Sequence, residues 1–160
     1  MAKSFLLAFI GGSGLYQIED LKNQKWLNIK TPWGSPSDRI LSGTVNNIKV
    51  LFLPRHGRSH IYNPSEINYR ANIYALKKLG ATDIISLSAC GSLKEELSPG
   101  TFVLVDQFID KTILRKKTFF EEGIVAHVSM ANPTSKLLRD ACEEVLKKLE
   151  IKHQNIGTYI

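Results

Sequence analysis

The stretch VLFLPRHGRSH, residues 50–60, leads an apolar run directly into a turn that holds two arginines and two histidines. A strand that ends in a glycine-containing cationic turn is typical of an anion site. Arginine presents a planar set of donors matched to phosphate or carboxylate, and histidine adds a further directional donor. Arg55 and His56 are therefore candidate anion ligands, whereas Arg58 and His60 are predicted to support the turn. The alternative is an ordinary basic surface loop, since charged residues are common on protein surfaces.

Apolar runs and amphipathic patterns alternate along the rest of the chain. Strands are predicted at residues 4–10, 25–30, 39–43, 48–53, 83–88, 101–105 and 152–160. One helix is predicted to begin with Asn63 as N-cap and Pro64 as its first residue and to end at Gly80, and a second helix follows Asn132 and Pro133. This alternation predicts an α/β protein with a mixed, mostly parallel β-sheet flanked by helices.

Three of the predicted strands have residues suited to an anion at or just after their carboxyl ends. These are Gly12-Ser13-Gly14, Arg55-His56 and Ser88-Ala89. Sheets of this class bind ligands at the carboxyl ends of their strands, and both serine hydroxyls and the N–H groups of glycine-rich turns donate to anions. The glycine-rich stretch matches neither the Rossmann fingerprint nor the Walker loop, so a plain tight turn stays open for it alone. Taken together, the three stretches predict one anion site.

Composition limits the classes of function. The 160 residues are 43% hydrophobic and carry a net charge of +6, which predicts one globular domain over residues 1–160 that favours anionic partners. Nucleic acid is not expected, because the lysines are dispersed and are not interleaved with aromatic residues. No membrane association is expected, since no stretch is long enough to span a bilayer. The two cysteines lack metal-ligand or disulfide spacing, which predicts a cytoplasmic protein without a metal site.

Two other chemistries can be read from single motifs. The triplet Arg55-His56-Gly57 by itself resembles the histidine phosphatases, in which such a triplet normally ends the first strand. Several strands precede it here, so a phosphorylated His56 is the minor alternative. Cys90 would need a neighbouring base to act as a nucleophile, and a small buried thiol is the simpler interpretation.

Six stretches in this order resemble the trimeric purine nucleoside phosphorylases: IGGSGL, TPWGSPSD, RHGRSH, NPSEINYRANIYALKKLG, SACGSL and DQFIDKT. Within that group the resemblance is strongest to the S-methyl-5′-thioadenosine phosphorylases, and it covers essentially the whole chain. Methylthioinosine phosphorylases and general purine nucleoside phosphorylases remain alternatives.

The resemblance implies an enzyme that converts S-methyl-5′-thioadenosine and phosphate into adenine and S-methyl-5-thioribose 1-phosphate. The residues that it implies for phosphate binding are Ser13, Arg55, His56, Ser88 and Ala89. It further implies a homotrimer in which His127 reaches the nucleoside bound by the neighbouring subunit. Inorganic phosphate is then the cosubstrate, and no metal or organic cofactor is expected.

The resemblance also implies a longer chain. In the family, segments that bind the ribose and the purine follow the position of Ile160. We therefore expect residues 1–160 to form the N-terminal portion of a C-terminally incomplete nucleoside phosphorylase domain, and we assign no catalytic residue within it. An inactive fragment that binds phosphate or nucleoside is accordingly a further alternative.

Overall fold

The computed structural model describes residues 5–12, 18 and 20–160. The chain divides into two compact units. The first comprises Met1–Ala89 with Leu114–Phe119, and the second comprises Cys90–Ile113 with Phe120–Ile160. The prediction that residues 1–160 belong to a single domain stays a prediction.

The first unit is built on a five-stranded sheet. Its strands are β1 (Leu7–Gly11), β2 (Lys22–Leu27), β3 (Ile40–Val45), β4 (Ile48–Pro54) and β5 (Asp83–Ser86), in the order β2-β3-β4-β1-β5. Strand β1 runs parallel to both of its neighbours, β4 and β5. Strand β3 is antiparallel to β2 and β4. Asn46 and Asn47 both adopt positive φ between β3 and β4, as a tight hairpin turn requires.

Helix α1 (Tyr69–Lys78) packs on the sheet of the first unit through Ala75 and Leu76. Both are fully buried in a cluster with Ala8, Ile40 and Leu51, among others. Alternate residues of the same strands point to the other face, where the rings of Phe9 and Phe52 stack 4.9 Å apart. The central strands are therefore covered by apolar side chains on both faces, which explains their continuous apolar sequences.

The predicted start of this helix is wrong, because α1 begins after Asn68 and not after Asn63. The Asn63 side chain accepts hydrogen bonds from the N–H groups of Ser65 and Glu66, and the Glu66 carboxylate accepts one from Asn63 N–H. This is a complete capping box, yet it closes only a turn. The true N-cap is Asn68, whose side chain accepts from Ala71 N–H and donates to the Trp33 carbonyl at 2.6 Å.

The second unit contains β6 (Phe102–Val103), β7 (Gln107–Phe108), helix α2 (Lys136–Lys148), β8 (His153–Gln154) and β9 (Thr158–Tyr159). Strand β6 pairs in parallel with β8, and β7 pairs in parallel with β9. The strand predicted at 152–160 is thus divided in two. At the break, Gly157 N–H donates to the Asp106 carboxylate instead of to a ladder carbonyl.

Most strand pairings within the described residues are parallel, so the predicted mixed, mostly parallel α/β sheet is confirmed. Neither helix of this part of the chain has the length and apolar character needed to cross a bilayer.

Candidate functional site

The carboxyl ends of β1, β4 and β5 lie side by side. Parallel pairing sets Gly11 opposite Pro54 and Ile10 opposite Ser86, so the residues that follow these strands emerge at one edge of the sheet. The backbone N–H of Arg55 donates to the Gly11 carbonyl at 2.9 Å, which extends the ladder by one residue. Ser13, the predicted ligand after β1, lies outside the described residues.

The Arg55 side chain bridges two of these strand ends. Its Nη1 donates to the Ser88 hydroxyl at 2.7 Å and to the Leu87 carbonyl at 3.3 Å. Within residues 5–12, 18 and 20–160, no carboxylate lies at ion-pair distance from this guanidinium. Arg55 therefore presents a positive charge, held in place by neutral acceptors, at the end of the sheet.

His56 is buried, with 9% of its surface exposed, and its ring orientation is fixed. Its Nδ1 lies 2.8 Å from the Tyr62 carbonyl oxygen, which can only accept, so Nδ1 carries the proton. The neutral ring then offers Nε2 as an acceptor, and Arg55 Nε donates to it at 3.3 Å. The ring of His60 stacks on that of His56 with centroids 4.6 Å apart. His56 is thus positioned with a basic nitrogen beside the Arg55 guanidinium.

Gly57 gives the turn its shape. Its backbone φ is +73°, a value that residues other than glycine rarely adopt. A Cβ atom at this position would also lie 3.3 Å from both the Ser37 carbonyl oxygen and Ile61 Cγ1. The backbone N–H of Gly57 donates to the Pro54 carbonyl, and the backbone N–H of Tyr62 donates to the His56 carbonyl. The turn is therefore closed by its own backbone and packed against the segment that precedes β3.

Arg58 is engaged by a carboxylate, in contrast to Arg55. Its Nε and Nη2 donate to the two oxygens of Asp38 at 2.9 and 3.1 Å, and its backbone N–H donates to the same carboxylate at 2.8 Å. The Arg58 guanidinium also lies 4.1 Å from the centre of the Trp26 ring, a cation–π contact. These contacts agree with the predicted role of Arg58 in supporting the turn.

Asp38 has a lowered pKa. Burial alone would raise the pKa of this carboxyl, but hydrogen bonds from the Arg58 side chain and backbone and from Arg39 N–H, together with the Arg58 charge, outweigh it. The ionised form is therefore the one that the fold stabilises.

Replacing Asp38 with asparagine is expected to destabilise the first unit at neutral pH and to have little effect in acid. A carboxyl whose folded-state pKa lies below its unfolded value stabilises the fold above the unfolded pKa, and this contribution is lost as the pH falls through the folded pKa. At neutral pH we expect a loss of about 1–2 kcal/mol, discounted for solvent screening of the partly exposed guanidinium. Thermal unfolding followed by Trp26 and Trp33 fluorescence over about pH 2–7 measures it. A stability difference between the two proteins that stays constant over that range would contradict this assignment.

The sequence analysis missed Asp38 and the two residues that hold its segment, Ser37 and Asn72. Asn72 is 2% exposed on the inner face of α1; its Oδ1 accepts from Ser37 N–H at 2.8 Å and its Nδ2 donates to Ser37 Oγ at 2.9 Å. The available signal was an asparagine among the alanines and leucine of an apolar helix face. A buried amide needs partners, and these define a polar contact across the core.

Three other residues singled out by sequence are exposed to solvent. Ala89 is exposed at the end of the first unit, one residue beyond Ser88. The interpretation of Cys90 as a buried thiol is wrong: it is exposed, and so are residues 88–96 that follow β5. His127 belongs to the second unit and is exposed. In the described residues no cluster of His, Cys, Asp and Glu has the arrangement of a metal site.

Comparison with known proteins identifies what this arrangement resembles. The chain is 55% identical over 155 residues to the S-methyl-5′-thioadenosine phosphorylase of Rhodospirillum rubrum, covering 97% of this chain and 53% of that protein. It is 52% identical to the enzyme of the same name from Hyperthermus butylicus, covering 96% of this chain and 56% of the relative. It thus spans about half the length of the curated relatives that it matches.

Solved structures give the same result. A methylthioadenosine phosphorylase from an antarctic soil metagenomic library superposes with a TM-score of 0.89 at 46% identity, over 98% of this chain and 55% of the other. The Schistosoma mansoni methylthioadenosine phosphorylase in complex with adenine gives 0.90 at 35% identity, over 97% and 64%. These similarities confirm the expected fold. The sequence profile of the phosphorylase superfamily matches residues 6–160, and the chain belongs to that superfamily.

Proposed function

We propose that the protein binds inorganic phosphate at the carboxyl ends of β1, β4 and β5 and uses it to cleave a purine nucleoside. The observation that carries this proposal is the arrangement of Arg55. Its guanidinium, free of any described carboxylate, is bound to Ser88 and adjoins His56 at the edge where three parallel strands end. Such an edge is where sheets of this class bind ligands, and a pre-oriented guanidinium suits a phosphate.

The proposed reaction is phosphorolysis. A phosphate oxygen forms a bond to the anomeric carbon of the ribose as the bond from that carbon to the purine nitrogen breaks. The sugar carries positive charge in the transition state, so a phosphate dianion held beside it both stabilises the charge and supplies the nucleophile. Arg55 would hold the phosphate by charge, with Ser13, Ser88 and Ala89 completing the cradle. No residue of this chain is assigned to protonate the departing purine.

His56 would act on the protonation state of the phosphate. With Nδ1–H donated to Tyr62, the neutral ring can only accept at Nε2. A phosphate monoanion can displace Arg55 Nε from Nε2 and transfer its hydroxyl proton to that nitrogen, which leaves a dianion that accepts from both the imidazolium and the released Arg55 Nε. The proton thus stays within the site, and the more nucleophilic form of phosphate is bound.

S-methyl-5′-thioadenosine is the proposed substrate, with adenine and S-methyl-5-thioribose 1-phosphate as products. The names of the relatives support this choice, and the bound adenine in one solved structure agrees with it. We further propose a homotrimer in which the exposed His127 contacts the nucleoside of a neighbouring subunit. The two free cysteines support a cytoplasmic location, and phosphate is proposed as the only cosubstrate, without a metal or organic cofactor.

The protein, together with the ribose- and purine-binding segments that the resemblance implies after Ile160, should release adenine from S-methyl-5′-thioadenosine only when phosphate is present, with one sugar 1-phosphate formed for each adenine. Chromatography of the base and phosphorus NMR of the sugar phosphate measure the two products. Incubation with a labelled phosphomonoester should leave no label on His56, because the phosphate attacks the sugar directly. Adenine release without phosphate would indicate a hydrolase, and stable phosphohistidine would indicate a phosphatase; either result contradicts the proposal.

A further inference from the structure

We propose that Asp38 is a positioning residue for the phosphate site, acting through Arg58 on the turn that carries Arg55 and His56. The inference rests on the proposed function, since it concerns the same phosphate. Asp38 lies outside the set of residues predicted to contact the phosphate, and its carboxylate is directed at Arg58.

The Asp38 carboxylate is fully used by the turn and by its own segment. Oδ2 accepts from the backbone N–H of Arg58 at 2.8 Å and from Arg58 Nε at 2.9 Å. Oδ1 accepts from Arg58 Nη2 at 3.1 Å and from Arg39 N–H at 2.7 Å. An asparagine has one oxygen and one NH2 group, so either orientation of its amide leaves two of these four donors facing a donor. Only a carboxylate satisfies all four.

Asp38 is itself held on a rigid support. The preceding residue, Ser37, is fixed through its backbone N–H and its hydroxyl to the buried amide of Asn72 on α1. Two residues after Asp38, Ile40 begins β3 and is fully buried in the core. Asp38 therefore lies between two fixed residues, Ser37 and Ile40, and the position of its carboxylate is set by the packing of the core.

Arg58, which is hydrogen-bonded to Asp38, lies in the same short turn as the proposed phosphate ligands Arg55 and His56. Arg58 follows Gly57, and the Gly57 backbone already packs against the Ser37 carbonyl. His56 precedes Gly57, and its ring is held by Tyr62 on the far side of the turn. With Arg58 released from Asp38, the segment between Gly57 and Tyr62 loses the three Arg58 hydrogen bonds that hold it to the residues before β3. The Tyr62 carbonyl that fixes the proton on Nδ1 of His56 would then move.

Asp38→Asn is expected to raise the dissociation constant for inorganic phosphate roughly tenfold, the effect of losing one charge-assisted hydrogen bond to the anion. Phosphorus NMR titration of the purified protein measures it. Nitrogen NMR of the histidines gives a second measure: wild type should show His56 protonated at Nδ1, and Asp38→Asn should show the two nitrogens averaging. Asp38→Glu, which restores both oxygens on a longer side chain, should lie between. Asp140→Asn, which removes an exposed ion pair with Lys136 on α2, is the matched control and should match wild type.

A folded Asp38→Asn protein with wild-type phosphate affinity and an unchanged His56 spectrum would overturn the inference. Should Asp38→Asn not fold, Arg58→Lys tests the same contact, because it keeps the charge but loses the two-pronged bond; unchanged phosphate affinity in that protein would also overturn it. Failure of the wild type itself to bind phosphate would instead refute the proposed function, and the inference with it. The wild-type titration therefore separates the two failures.

Discussion

Arg55→Ala should bind inorganic phosphate about 10 to 100 times more weakly than wild type, because charge-assisted hydrogen bonds contribute about 1.5–3 kcal/mol. No carboxylate of the described residues lies at ion-pair distance from the Arg55 guanidinium, and its Nη1 donates to the Ser88 hydroxyl. Alanine removes the charge, the Ser88 contact and the donor to His56 Nε2 together. A phosphorus NMR titration at constant ionic strength measures the loss. If phosphorolysis of S-methyl-5′-thioadenosine is followed instead, the effect should appear in the KM for phosphate.

Two variants show whether the effect belongs to this side chain or to net charge. Arg39→Ala removes the same charge from an exposed position, while its backbone bond to Asp38 remains, and should leave phosphate affinity unchanged. Arg55→Lys keeps the charge but cannot bond Leu87, Ser88 and His56 at once, so its affinity should be intermediate. Equal weakening by Arg39→Ala and Arg55→Ala would mean that phosphate responds only to overall charge. The assigned site would then be wrong.

The edge of the sheet could be predicted from the sequence because the information is local. A run such as residues 50–54 is apolar on both faces, and the ligand-suited residues follow it directly. Parallel pairing of β1 with β4 and β5 then brings the three runs to one edge, as expected for the class. Ser13, the fourth predicted side-chain ligand, stays a prediction.

The parts that were missed depend on contacts between distant segments. Asn63 and Glu66 carry a complete local helix-start signal, but the helix begins at Asn68, which is fixed by the carbonyl of Trp33, 35 residues earlier. Asp38 ends one of the six stretches that carry the family resemblance, but no local pattern assigns it a role, because its partner Arg58 lies 20 residues later in the chain. Local propensity decides which residues can cap or pair, whereas tertiary hydrogen bonds decide which ones do.

Asn72→Ala should lower the free energy of unfolding of the first unit by about 2–4 kcal/mol. Asn72 is almost fully buried, and both of its amide atoms bond Ser37, which is itself 7% exposed. Alanine leaves the Ser37 N–H and hydroxyl without these partners in a region with little access to water, and it also leaves a cavity. Both tryptophans, Trp26 and Trp33, lie in the first unit, so urea unfolding followed by their fluorescence reports on this unit.

The same substitution should also weaken phosphate binding, because Ser37 anchors the segment that presents Asp38 to Arg58. Asn155→Ala is the matched control: it removes an exposed amide that donates to Glu143 in the second unit, and it should change neither quantity. Ser37→Ala keeps the backbone N–H bond to Asn72 and loses only the hydroxyl, so its effect on unfolding should be smaller than that of Asn72→Ala. A free energy of unfolding for Asn72→Ala within about 0.5 kcal/mol of wild type, the range of ordinary surface substitutions, would show that water replaces the Ser37 contacts. Helix α1 would then not be what holds Asp38 in place, and the route from the core to the phosphate turn would have to run through β3 alone.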